Sequence, residues 1–452
     1  MTRPTDLPSL PPALTPRAEA VLDDLLAQGV GDEVAGWRDN AVAAGQPVTA
    51  EDQRRFATSV IQDRLRLIAE RDIANGIMAM TDEEDAQVLR AALDDMFGAG
   101  VLDRLMTDPL VENIDAFGCD RVWITRADGT KVLGPPLWRT DDAMTQHLRR
   151  LGARAGQSER RFDNGAFKLR VQLANGARLF AVMSVTTRPC VSVRQHRKAT
   201  ATLAELRTTG MFDRRVEDFL RAAVLARLNV LIAGATNAGK TTLLRALLGE
   251  VDPSERLITI EENRELGLDQ FPDRHPDVIS MEARDANTEG EGGVSLAELV
   301  RLSLSMNPSR VIVGEVLGDE VIPMLNAMSQ GNDGSMCTIH AASSEGVFDR
   351  VASYCIQAPE RLNRVAANLM LVNAVDLIVF IGKHTTDAGV ERRVASIREV
   401  VAADENTISS NEIFRAGTDG SAEPSGVPLR AATAERLRDV GYSWPPVFEV
   451  VR

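Results

Sequence analysis

A chain of 452 residues, 44% hydrophobic and 26% charged, holds apolar material for about three domains and does not fit a disordered polypeptide. Its formal net charge of −14 repels phosphate backbones, which argues against nucleic acid as the main partner unless one face is locally basic. Cys119, Cys190, Cys337 and Cys355 lie far apart and form no CxxC pair, so they read as core thiols in a reducing compartment and exclude a disulfide framework or a cysteine metal site.

The chain opens on "MTRPTDLPSLPPALTPR", proline-rich and without the apolar core of a signal peptide, so a cytoplasmic location is expected. Residues 17 to about 98 read as helix. Thr49 with Asp52, and Thr81 with Glu84, have capping spacing, and the second helix puts Val88, Leu89, Leu93, Met96 and Phe97 on one face. Such faces bury against the protein or a partner, and nothing in them carries chemistry.

From 99 to 204 the texture changes to short Val-, Thr- and Phe-rich runs, with hairpin signals at Asp128-Gly129 and Asn175-Gly176. This predicts a smaller α+β domain. It is also locally basic, with Arg149, Arg150, Arg154, Arg160, Arg161, Lys168, Arg170, Arg178, Arg188, Arg194, Arg197 and Lys198. The excess is either a solvated face or a surface turned to an anion.

From 205 to 384 the apolar runs "LNVLIAG", "RLITIEE", "RVIVGEV", "SMCTIHA" and "VDLIVFIG" alternate with helical segments, which predicts an α/β domain with a mostly parallel sheet and helices on both faces. Met324, Met328 and Met336 read as packing residues. The most apolar stretch, residues 368–383, is interrupted by Asn373 and Asp376 and is shorter than the roughly 20 residues of a membrane span, so any membrane contact is expected to go through a partner. A C-terminal extension, 385–452, holds one more strand pattern, "VERRVASIREVVA", a Ser-, Gly- and Pro-rich loop around 416–428 and a short helix, "TAERLRDVGY".

Chemistry concentrates where "LNVLIAG" runs into "GATNAGKT". Gly234, Ala235, Thr236, Asn237, Ala238, Gly239, Lys240 and Thr241, followed by Thr242, make a G-x-x-x-x-G-K-T phosphate loop between a strand and a helix. The glycines let backbone N–H groups and the helix N-terminus meet phosphate oxygens, Lys240 reaches the β and γ phosphates, and the Thr241 hydroxyl ligates Mg²⁺. ATP and Mg²⁺ are therefore the expected ligands. Parallel sheets bind ligands beyond their carboxyl edge, and three other strands end there in ionisable residues: Glu261 and Glu262, Glu315, and His340. Phosphoryl transfer needs metal ligation, a group that orients or deprotonates water, and positive charge on the γ-phosphoryl. Glu315 fits the metal or water role, Glu261 or Glu262 the polarisation of water, and His340 a γ-phosphate sensor. The lead-in "EGEGG" before Ser295 and Glu298 reads as a mobile loop or a plain connection.

The stretch "EARDANTEGEGGVSLAELVRLSLSMNPSRVIVGEVLGDEVIPMLNAMSQGNDGSMCTIHAASSEGVFDRV", with "DPLVENIDAFGCDRVWI" and "VQLANGARLFAVMSVTTRPCVSVRQH", resembles the secretion ATPases of type II and type IV systems, nearest the tight-adherence pilus (CpaF-like) branch. The resemblance covers roughly 100 to 400. It implies a RecA-like P-loop core preceded by an α/β domain, and a homo-hexameric ring on an inner-membrane platform protein, facing the cytoplasm. Glu261, Glu262 and Glu265 correspond to its acidic box, Glu315 to the Walker B glutamate, His340 to the histidine box, and Arg178 and Arg194 to arginines that meet nucleotide. It departs from the family at Leu317, Ser305 and Asn307, where arginines are usual, and at Glu262, where Asp is common. These departures imply a working but slow ATPase, with an ATP-gated scaffold or a nucleic-acid translocase as the alternatives.

Overall fold

The computed structural model describes residues 14–444 apart from 28, 109, 155–160, 174, 196–200, 285, 287–291, 387–388 and 406. Arg160, Arg197, Lys198, the proline-rich tip to residue 13 and most of the glycine-rich lead-in fall outside the described residues. The chain divides into two compact units, Met1–Arg197 and Lys198–Arg452.

The first unit begins with helices α1 (Pro16–Ala27), α2 (Val30–Ala43), α3 (Ala50–Ala74), α4 (Asp82–Phe97) and α5 (Val101–Met106). Reciprocal capping boxes start α3 (Thr49 with Asp52) and α4 (Thr81 with Glu84), satisfying amides the helix itself leaves open. Val88 and Leu93 are buried, and Leu89, Met96 and Phe97 pack around them. Six strands follow: β1 (Val111–Phe117), β2 (Arg121–Arg126) and β3 (Lys131–Leu133), then helix α6 (Asp141–Arg154), then β4 (Lys168–Gln172), β5 (Arg178–Val182) and β6 (Cys190–Arg194). They form one antiparallel sheet in the order β3-β2-β1-β6-β5-β4. Gly129 and Gly176 take φ of 85° and 81° at the two hairpin turns, where a side chain is disfavoured.

A buried polar junction joins the helices to this sheet. Asp95 of α4 accepts from Arg150 of α6 at 2.9 and 3.1 Å, with Arg154 at 3.5 Å and His147 at 3.9 Å. Trp138 Nε1 donates to His147 Nδ1 at 3.0 Å, which leaves the ring proton on Nε2. Burial, opposed by Asp95, pushes the His147 imidazole down to about 4. Burial raises the Asp95 carboxyl, and its bond to Arg150 and the surrounding cations more than offset this, so it sits below the ordinary carboxylate value.

The second unit runs α7 (Leu203–Thr208), α8 (Arg214–Leu225), β7 (Val230–Gly234), α9 (Lys240–Leu248), β8 (Leu257–Glu261), β9 (Val278–Glu282), α10 (Leu296–Ser303), β10 (Arg310–Val316), α11 (Val321–Ser329), β11 (Met336–His340), α12 (Gly346–Gln357), α13 (Arg364–Ala374), β12 (Leu377–Thr386), β13 (Gly389–Ala403), β14 (Ile408–Ala416), β15 (Ala422–Pro424) and α14 (Ala431–Asp439). Its nine strands form one mixed sheet, β15-β14-β13-β12-β7-β11-β10-β8-β9. The six from β12 to β9 are parallel, and β13, β14 and β15 extend the sheet antiparallel. Alternate residues of β7 enter opposite layers: Val230 and Ile232 join one apolar core, Leu231 and Ala233 the other, so helices cover both faces. Met324, Met328 and Met336 are buried in these layers, as their reading as packing residues predicts. Among the described residues, no helix is long and apolar enough to cross a membrane.

Candidate functional site

Strand β7 is buried throughout and delivers the chain to the phosphate loop at Gly234. A Cβ there would lie 2.8 Å from the Ile381 carbonyl oxygen of β12, so only glycine lets the two strands approach this closely. The loop curls through Asn237 at φ 59° and Gly239 at φ 96°, and Gly239 is the N-cap of α9. Ala238 N–H donates to the Ala235 carbonyl at 3.2 Å, closing the turn. Thr241 and Thr242 follow on the first turn of α9, both half-buried.

Lys240 is only 6% exposed, and its ammonium is the hub of the site. Its Nζ donates to the Ala235 carbonyl at 3.3 Å, faces His340 Nδ1 at 3.1 Å and lies 3.4 Å from Glu315 Oε1. His340 Nε2 meets the same Glu315 oxygen at 2.9 Å. A lysine only donates, so Nδ1 accepts and the ring proton sits on Nε2, which donates to Glu315. One carboxylate thus binds a lysine and a neutral histidine; Glu315 and His340 sit on strands fixed by parallel pairing, with His340 the register partner of Gly234, and Lys240 opens the helix after the loop.

Glu315 reaches this position through a bulge. Val313 partners Cys337 and Val316 partners Ile339, so β10 takes three steps where β11 takes two. The extra residue re-aims the side chain at the end of the strand. Thr338 Oγ1 donates to the Gly314 carbonyl at 2.7 Å and satisfies it inside the bulge.

Glu261 is used differently. It is 3% exposed, and its Oε1 accepts the backbone N–H groups of Glu265 and Leu266 at 2.8 and 2.9 Å, so the carboxylate shapes the loop after β8. A Cβ at Gly314 would come within 2.9 Å of Glu261 Cγ, which places this acid directly behind the Glu315 bulge. Glu262 is half-buried at the start of the loop. The structure therefore gathers Lys240, Glu315 and His340, with Glu261 one strand removed. Arg178 and Arg194 are direct cross-strand partners on β5 and β6 of the first unit. Leu317 is 41% exposed, and its N–H and that of Gly318 are held by the carboxylate of Glu320, which burial pushes above its ordinary value. Ser305 and Asn307 are exposed.

Two residues escape the sequence reading. Lys383 of β12 donates from Nζ to the Thr236 carbonyl at 3.0 Å, and Arg392 of β13 donates from Nε to the Asn237 carbonyl at 2.9 Å. The available signal was that Lys383 directly follows "LIVFIG", a strand pointing at the same rim.

Residues 98–419 match the family described as type II/IV secretion system protein. A Mycobacterium tuberculosis protein named for conjugal transfer is 34% identical over 325 residues, spanning 70% of this chain and 88% of its own length. The type IV secretion system protein VirB11 of Brucella suis is 34% identical over 181 residues, 40% of this chain and 49% of its own. Among solved structures, the ATPase DotB of Legionella pneumophila aligns over 68% of this chain and 82% of its own, at 16% identity and a TM-score of 0.48.

Proposed function

This chain belongs to the type II/IV secretion system protein family, and from that premise we propose that it is an ATP-hydrolysing motor driving pilus assembly or protein secretion. It works as a homo-hexameric ring with a RecA-like core, docked on a platform protein at the cytoplasmic face of the inner membrane, with tight-adherence pilus assembly the narrower assignment. The observation that carries the reading is the buried Lys240 held between Glu315 and His340 at the mouth of the phosphate loop.

An entering triphosphate competes with Glu315 and the Ala235 carbonyl for the Lys240 donors, exchanging one anionic partner for another without leaving the ammonium bare. Glu315, released from lysine, orients the water that attacks the γ-phosphorus as the bond to the bridging oxygen breaks. His340 keeps its Nε2–H on Glu315, and its Nδ1, an acceptor, reports γ-phosphate through the Lys240 ammonium that both engage. Glu261 holds the loop that carries Glu262 and Glu265 beside the site. Thr241 and Glu315 would hold Mg²⁺, since hydroxyl and carboxylate are hard oxygen donors suited to a hard cation, and the chemistry supplied is charge neutralisation on phosphate oxygens. Arg178 and Arg194 are carried over as nucleotide-binding cations by the family resemblance alone.

Phosphate release per subunit, followed across protein concentration, tests the reading. Activity is expected to rise with assembly, Lys240→Ala to lose ATP binding, and Glu315→Gln to keep ATP while turnover falls by about 10² or more. Normal turnover in Glu315→Gln sinks the assignment. A second reading, an ATP-gated scaffold, is favoured by the exposed Leu317 two residues beyond Glu315, because one arginine contact is worth about 10³–10⁵ in phosphoryl transfer. A ring that binds ATP and releases no phosphate establishes it.

A further inference from the structure

Strand β12 flanks β7 on the side away from β11, with Ile381 the register partner of Gly234. Where β7 turns into the phosphate loop, β12 continues and pairs with β13, and Lys383 lies directly opposite Arg392. Like charges opposite each other across two strands are destabilising on their own. Here both cations turn to the phosphate loop, Lys383 to the Thr236 carbonyl and Arg392 to the Asn237 carbonyl, while Lys240 takes the carbonyl of Ala235. Three consecutive loop carbonyls are thus each held by a cation.

In a planar trans peptide the N–H points opposite to its C=O. Drawing the carbonyl of residue 236 toward Lys383 turns the N–H of Asn237 the other way, off the hairpin and free for phosphate. Ala235 and Thr236 are exposed, so water could satisfy these carbonyls; the positive charges bring something water does not. Glu391, the chain neighbour of Arg392, is engaged elsewhere: it and Asp419, from the turn between β14 and β15, both bind Arg393, at 2.7 and 2.6 Å. Arg392 also runs beside Gly239, its Cδ 3.8 Å from where a Cβ would stand.

We propose that Lys383 and Arg392 are positioning residues of the nucleotide site: they hold the phosphate loop in its ligand-receptive curl and add positive charge to its outer wall, favouring nucleoside triphosphates over less charged nucleotides. The inference rests on the ATP reading above. It accounts for a like-charge pair at this position and assigns the β12–β13 hairpin a part in nucleotide affinity.

The test uses the full chain, with Lys383→Met, Arg392→Met, the double variant, Arg392→Lys and Lys240→Ala. Affinity for ATP, ADP and AMP is measured by titration, with steady-state KM and kcat and the melting temperature without nucleotide. The expected result is a tenfold or greater rise in Kd and KM for ATP in the double variant, a smaller effect for ADP and least for AMP. In the same variant kcat changes less than threefold, the nucleotide-free melting temperature is unchanged, and Arg392→Lys recovers part of the loss. Unchanged ATP affinity in the double variant overturns the proposal, as does a loss equal for all three nucleotides accompanied by a lower melting temperature, which marks a merely structural brace. If wild type binds ATP, Lys240→Ala does not and the double variant binds normally, this inference alone fails. If wild type binds no nucleotide, the ATP reading fails and takes the inference with it.

Discussion

At the scale of single residues, the site turns on one proton. Lys240 fixes Nδ1 of His340 as an acceptor, so Nε2 must donate to Glu315 and the carboxylate is held in one rotamer. Replacing His340 by Ala leaves Lys240 and Glu315 in place and frees the acid to swing. The expected cost is about 10–100-fold in kcat with KM for ATP changed far less, and Gln, which keeps one acceptor and one donor, should recover part of it. Steady-state kinetics of the two variants decides this, and equal loss in both would point to lost packing. Glu315 and His340 were legible because each closes an apolar run at the rim that the phosphate loop marks. The use made of Glu261 was not: the same strand-end pattern gives an acid that pins the amides of Glu265 and Leu266, because Gly314 of the neighbouring strand leaves room for it there. Lys383 and Arg392 were missed because their contact with the loop joins residues 147 and 155 positions apart.

Among elements, the parallel strands were readable wherever both faces are buried, since that demands an unbroken apolar run. Strand β9 is half-buried along all five residues and shows no such run, and β15 sits inside the passage read as a loop, becoming a strand only through its pairing with β14. At Gly234 the strands β7 and β12 run close, and the atom facing a new Cβ is a backbone oxygen that cannot rotate away. Gly234→Ala is expected to destabilise the second unit by about 1–3 kcal/mol by forcing β7 and β12 apart. Urea unfolding followed in the second unit measures it, and a midpoint equal to wild type would show that the sheet gives way without cost.

For the whole molecule, two units with separate cores imply separate responses to solution conditions, and the first carries a buried switch. The imidazole of His147 titrates at about 4 when folded against an ordinary 6.5, so as pH falls below 6.5 the unfolded chain takes up the proton before the folded one does. Stability of the first unit is therefore lost progressively between pH 6.5 and about 4, by on the order of 3 kcal/mol in total. The lowered Asp95 carboxyl adds a further loss below its ordinary range. Hydrogen-exchange protection factors of the β1–β6 amides, corrected for the intrinsic pH dependence of exchange, are expected to fall between pH 7 and 4.5 in wild type and much less in His147→Gln, and identical pH profiles would rule out the histidine as the cause. Nothing in the sequence announced this junction, because Asp95 and Arg150 are 55 positions apart and each alone reads as a surface charge.

The mixed sheet also has to end somewhere. Its last strand, β15, is three residues long and finishes in Pro424, which has no amide hydrogen to offer. Behind it runs β14, nine residues whose ladder groups β15 partly covers. A short, proline-terminated border of this kind gives a passing chain little to template on. The ring assembly proposed above is thereby spared, at this edge, a competing geometry: edge-to-edge β-pairing into open-ended fibres.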